Sequence, residues 1–129
     1  MPIDVSVNIV ISRPRDEVAA FASDPANDTI WIKNIKEVEW ITEPPVAEGT
    51  KVARVAYFLG KRLAYTYVVD ELVPGERLAM RAEESPFPMT TTYHFTDVEE
   101  GGTRVTLQVG GGPGGYEAAL AGALLRHLG

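Results

Sequence analysis

Apolar residues recur at every second position from Ile3 to Ile11. Ile3, Val5, Val7, Ile9 and Ile11 share one side, and Asp4, Ser6 and Asn8 share the other. A period of two over this length predicts a half-buried strand. Arg13-Pro14 ends it. Proline suits the first helical position, and Asp16 and Glu17 complement the positive end of a helix. Val18, Phe21 and Ala22 follow at helical spacing, so a short helix is predicted over about 14–23, with Ser12 as a helix-start residue. Asp24-Pro25 repeats the device: an Asp cap and then proline predict a second short helix running toward Ile30 and Trp31.

From Lys36 the pattern returns to strands. Val38 and Trp40 alternate with Glu37 and Glu39 until Glu43-Pro44-Pro45 breaks the run. Residues 50–59 and 62–72 are rich in Val, Tyr, Phe and Leu, which favour strands. Gly60-Lys61 predicts a two-residue hairpin between them, with glycine at the first central position. Pro74-Gly75 has the residues of a type II turn. Leu78, Met80 and Ala82 then alternate with Arg77 and Arg81, and Pro86 and Pro88 end that run. Met89, Thr91, Tyr93 and Phe95 alternate with Thr90, Thr92, His94 and Thr96. After the turn Glu99-Glu100-Gly101-Gly102, Thr103, Val105, Leu107 and Val109 alternate with Arg104, Thr106 and Gln108. A glycine-rich joint, residues 110–115, leads into a final helix over Tyr116 to Leu128.

The predicted order is one strand, two short helices, six strands in succession and a terminal helix. Short connections imply antiparallel pairing, and so many consecutive strands form a twisted sheet that curls. One face of that sheet is dry and needs a cover. The last helix spans roughly 20 Å at about 1.5 Å per residue, enough to lie across it. Leu120, Leu124 and Leu128 form its apolar stripe, flanked by Ala118, Ala119, Gly122 and Ala123. Small side chains there either leave room beneath the helix or simply reflect alanine's helix propensity and close packing at Gly122.

Composition narrows the function. The chain has 129 residues, 45% hydrophobic and 23% charged, as expected of one globular domain spanning residues 1–129. Its net charge is −6, from 12 Lys and Arg against 18 Asp and Glu. That disfavours nucleic acid as a partner, because phosphate binding needs a basic surface. Absence of cysteine excludes a disulfide framework, a thiolate nucleophile and a cysteine metal site. No signal peptide or spanning segment is read from the start or from any apolar run, so a cytoplasmic protein without integral membrane association is expected. Asn27-Asp28-Thr29 matches a glycosylation sequon, a pattern short enough to arise by chance.

Chemical motifs are few. Gly110-x-Gly112-x-x-Gly115 matches a dinucleotide fingerprint, but no second strand and acidic residue follow at the required distance, so no cofactor is expected. His94 and His127 are the only histidines, and no metal site is expected. The face His94 shares with three threonines reads as outward. Arg54 and Arg81 lie within predicted strands and read as solvent-facing; an inward one could hold a carboxylate or enolate. The aromatic residues carry the most information. Tyrosines facing an interior offer an apolar wall ending in a hydroxyl, suited to flat ligands with a few oxygens, although aromatics also pack sheets without any ligand.

Several phrases, in order, resemble the START-like (SRPBCC) superfamily and within it the polyketide cyclase/dehydrase group. They are Ile9 through Val18 into the first helix, Asp24-Pro25 followed by Trp31, and Glu48-Gly49-Thr50. Glu71-Leu72-Val73-Pro74-Gly75-Glu76-Arg77-Leu78 and Gly101-Gly102-Thr103-Arg104-Val105-Thr106 complete the series. The resemblance implies an α+β helix-grip fold: a curved antiparallel seven-stranded sheet around a C-terminal helix, with two short helices between strands 1 and 2. It also implies an apolar cavity between sheet and helix that takes a small hydrophobic or aromatic molecule, lipid- or polyketide-like. The candidate lining is Trp31, Trp40, Tyr57, Tyr65, Tyr67, Met80, Tyr93, Phe95, Leu120 and Leu124. No catalytic motif comes with the resemblance. A cyclase or dehydratase, with tyrosines as acids and an arginine as oxyanion partner, is the second expectation, and a protein-interaction module with a filled core the third. Monomer and homodimer both remain open.

Overall fold

The structure is a computed structural model that describes residues 4–32, 35–58, 60–83, 89–111 and 116–128. β1 (Asp4–Ile11) leads into α1 (Arg15–Ser23), a 3-10 turn (Pro25–Asn27) and α2 (Asp28–Trp31). Six strands follow: β2 (Ile35–Trp40), β3 (Lys51–Phe58), β4 (Lys61–Val73), β5 (Arg77–Glu83), β6 (Met89–Asp97) and β7 (Thr103–Gly111). α3 (Tyr116–Leu128) closes the chain. The strands form one open, curved sheet in the order β1-β7-β6-β5-β4-β3-β2, antiparallel throughout. From β2 to β7 sequential strands are neighbours, and β7 returns to pair with β1, leaving β1 and β2 at the two edges.

Local chemistry explains most boundaries. Pro14 precedes α1 directly, so Ser12 lies outside the helix start. Asp24 caps the next turn as expected, its Oδ1 accepting from Ala26 N at 2.9 Å, with Pro25 opening the turn. Gly75 has φ 78° and Glu76 N donates to Val73 O at 2.9 Å, the geometry of the type II turn. The β3–β4 hairpin differs from expectation. Phe58 pairs with Lys61, so Lys61 belongs to the returning strand and Gly60, at φ 77°, sits just before it. Gly110 and Gly111 continue β7 rather than forming a joint. The rest of that expected joint, Gly112 to Gly115, and the expected breaks at Pro86 and Pro88, lie outside the described residues.

Register aligns the dry face. Val7 and Ile9 stand opposite Leu107 and Val105, which in turn stand opposite Tyr93 and Phe95. α3 packs mainly against β1 and β7 and touches α2, burying Leu120, Leu124 and Leu128. Arg13 Nε donates to Leu128 O at 2.8 Å, tying the helix end to the chain after β1. Ala119 faces solvent, and a Cβ on Gly122 would meet only the Arg126 side chain. Ala119 and Gly122 therefore mark no close approach of helix and sheet, whereas Ala123 is buried and lines a small space beside Trp31.

Candidate functional site

The inner face carries one polar cluster in otherwise apolar surroundings. On β3, alternation directs Val52, Arg54 and Ala56 inward. Arg54 stands opposite Tyr65 on β4, with Tyr67 one inward step further along. α2 brings Asp28 over this region, and three residues on, toward the same face, Trp31. Asp28 is 2% exposed and Arg54 5%. One carboxylate oxygen, Asp28 Oδ2, accepts from Arg54 Nε at 3.0 Å and from Nη2 at 2.6 Å. Arg54 Nη1 reaches the Tyr65 hydroxyl at 3.4 Å, and the guanidinium carbon lies 4.1 Å from the centre of the Tyr67 ring. That last contact is a cation–π arrangement, strengthened by the burial of both side chains.

Burial dominates the titration of this group. It pushes the Asp28 carboxyl above the ordinary carboxylate range, opposed by the charge and hydrogen bonds of Arg54 and by a hydrogen bond from Tyr67. It also raises the Tyr67 and Tyr93 phenols, so both remain protonated donors at neutral pH. Tyr93 meets Trp31 and Phe95 edge-on, each with ring centres 6.3 Å apart. The Trp31 indole N–H is buried without an acceptor among the described groups. Arg54, Tyr65, Tyr67, Met80, Ala82, Met89 and Thr91 surround a space of about 10 Å³, room for roughly one water. A larger guest there has to displace side chains. Met80 and Met89, unbranched and adaptable, are the ones best able to yield.

Arg54 is a correction to the sequence reading: it points inward, not to solvent. Arg81 does face outward, bonding Asp70 Oδ1 and Glu83 Oε1, both at 3.0 Å. Of the ten candidate lining residues, Tyr65, Tyr67 and Met80 meet at the cluster, and Trp31, Tyr93 and Phe95 form the aromatic row beside it. Leu120 and Leu124 belong to the core beneath α3, and Trp40 lies at the α1 end of the sheet. Tyr57 alternates away from Arg54 and Ala56 and is 44% exposed. His94 sits on the outer face as read, its Nε2 3.1 Å from Gln108 Oε1. Among the described residues no three His, Cys, Asp or Glu side chains gather as metal ligands. None of the described helices is long and apolar enough to cross a membrane.

The sequence reading did not single out Asp28, because a lone carboxylate at the start of a short helix is ordinarily solvated. The available signal was weak: a carboxylate in a short segment between Pro25 and a buried Trp31.

A curved antiparallel sheet gripping a terminal helix, with paired short helices after the first strand, defines the START-like helix-grip class. Solved structures agree on the fold. The Zhui aromatase/cyclase from a Streptomyces species has a TM-score of 0.83 at 17% identity, covering 99% of this chain and 94% of that one. Ginseng major latex-like protein 151 from Panax ginseng has a TM-score of 0.82 at 12% identity, covering 99% and 98%. A START superfamily protein from Mycobacterium smegmatis has a TM-score of 0.75 at 14% identity, covering 97% and 90%. Residues 2–128 match the family described as polyketide cyclase / dehydrase and lipid transport, and the chain belongs to that family. No curated protein sequence matches it.

Proposed function

We propose that this chain, acting as one START-like unit in the cytoplasm, binds a small, largely apolar molecule carrying a few oxygens, lipid- or polyketide-like, on the inner face around Arg54. The observation that carries the proposal is the Asp28–Arg54 pair with two tyrosines, enclosed in an apolar core. A buried ion pair is a poor stabiliser compared with well-packed apolar residues. Its presence in a core of otherwise ordinary composition suits ligand recognition, with guanidinium and phenol donors beside aromatic and methionine surfaces. Met80 and Met89 give way to admit the guest. The partner is a small hydrophobic molecule and not nucleic acid; monomer and homodimer are equally compatible.

Titration with fatty acids, sterols and polyphenols, followed by NMR of the labelled protein, tests this. The expected result is saturable shifts at Tyr65, Tyr67 and Met80. A broad panel that leaves these signals unmoved refutes it.

A second reading, cyclisation or dehydration of a polyketide-like chain, is favoured by one feature. Tyr67 is held protonated beside Arg54, a proton donor next to a cation able to stabilise an enolate. Under that reading Tyr67→Phe abolishes turnover and leaves ligand affinity within about threefold. Loss of binding with no turnover in the parent protein supports carriage instead.

A further inference from the structure

At the opposite side of the inner face from the glycine-rich end, a groove of about 790 Å³ opens between α1, the segment joining β2 to β3, and the β4–β5 turn. Its volume is that of a small-molecule site. It shares no described lining residue with the Arg54 cluster.

The walls are mostly apolar. Trp40 and Leu72 face it from the sheet, Pro45 and Val46 from the joining segment, and Ala19 and Ala20 from α1. Leu72 reaches the inner face because the β4–β5 register shifts between Val69 and Glu71; without that bulge Leu72 would alternate to the outer face. The joining segment is pinned by several bonds. Gly49 N donates to Val69 O at 2.7 Å, Ala47 N to Thr50 Oγ1 at 2.8 Å, and Lys51 N to Thr42 Oγ1 at 3.1 Å. The groove thus exists before any guest arrives.

Charge decides its occupant. Asp16 and Asp24 both line the groove, and its described lining includes no Lys, Arg or His. Asp16 is exposed and has no ion-pair partner among the described residues, and its Oδ1 lies 3.0 Å from where a Cβ on Gly75, another lining residue, would stand. Asp24 spends one oxygen on Ala26 N as a cap. Trp40 adds an aromatic ring to the lining, and the chain's net charge of −6 favours approach of cations. We propose that this groove is a second binding site, for an amphipathic organic cation: an apolar body laid along Trp40 and Leu72, with its ammonium held in the negative field that Asp16 and Asp24 set up from the two ends of α1.

The test compares 4-phenylbutylamine, 4-phenylbutanol and 4-phenylbutyrate, which share one apolar body. NMR of the full chain should show the amine shifting the Trp40 indole and the Ala19 and Ala20 methyl signals, with the alcohol weaker and the carboxylate weakest. Asp16→Asn together with Asp24→Asn keeps the shape and the cap. It should weaken the amine about fivefold, to the level of the alcohol, as expected when exposed negative charge is removed from the groove. Raising salt to about 1 M should erase most of the same difference in the parent protein. Equal affinity for all three probes overturns the proposal, as does an unchanged amine affinity in the double variant. Amine shifts centred on Tyr65 and Tyr67 also overturn it. Concentration-dependent shifts at Trp40 without any probe would assign the groove to a second copy of the chain, and equally overturn it.

Discussion

Replacing Arg54 by Met removes one partner of a buried pair and leaves the other. At 2.6 Å and an effective dielectric of about 20, the attraction between the two charges is about 6 kcal/mol. Withdrawing the two ions from water costs several kcal/mol each, so the intact pair comes out near neutral against an apolar replacement. Arg54→Met alone is different. It strands Asp28, 2% exposed, without its counter-charge, and also forfeits the guanidinium contact with Tyr67. The expected loss is about 3–5 kcal/mol at pH 7. Adding Asp28→Val should recover at least about 2 kcal/mol of it, because the double variant buries no ion. The pH dependence is a second readout. The folded-state pKa of Asp28 is raised, so its contribution to stability is present below the ordinary carboxylate range and is lost as pH rises through the raised value. Without Arg54 the chief opposing influence disappears and the pKa rises further. The penalty of Arg54→Met should therefore shrink steadily from pH 7 toward pH ~4. Urea denaturation of the parent, both single variants and the double variant across that range gives all the terms. A double variant as unstable as the two single losses summed, or an Arg54→Met penalty independent of pH, refutes the reasoning.

Leu124 is fully buried beneath α3, and Leu124→Ala should cost about 2–5 kcal/mol by urea denaturation; a loss under about 1 kcal/mol would mean that α3 does not seat on β1 and β7 as described. Gly75→Ala forces a side chain into φ 78° and presses a methyl group to 3.0 Å from Asp16 Oδ1. It should cost about 1–2 kcal/mol and lower Tm by several degrees, and an unchanged Tm would contradict the turn geometry.

Most of the architecture was legible because strands with one dry face announce themselves by period. β1, β5, β6 and β7 alternate in sequence, and burial follows the alternation most closely in β6, where Met89, Thr91, Tyr93 and Phe95 are buried; in β1 it fades toward Val5, which is exposed. β3 does not. Val52 and Ala56 lie on one face, and Ala53, Val55 and Tyr57 on the other, so both sides read as apolar and the pattern leaves the direction of Arg54 open. The hairpin turn between β3 and β4 was misplaced for a related reason: a single glycine satisfies more than one turn position.

Alternation, proline and glycine placement, and a leucine stripe are local properties, and they were sufficient for the order of elements, the antiparallel sheet and the helix that closes it. The Asp28–Arg54–Tyr65–Tyr67 cluster is not local. Its acid and its base are 26 positions apart, and they meet only when α2 folds over the paired β3 and β4. The groove beside Trp40 depends likewise on a bulge that turns Leu72 inward and on a segment bonded back to the sheet. Periodicity carries no record of distance between elements, and which polar groups share an enclosed space is a matter of distance.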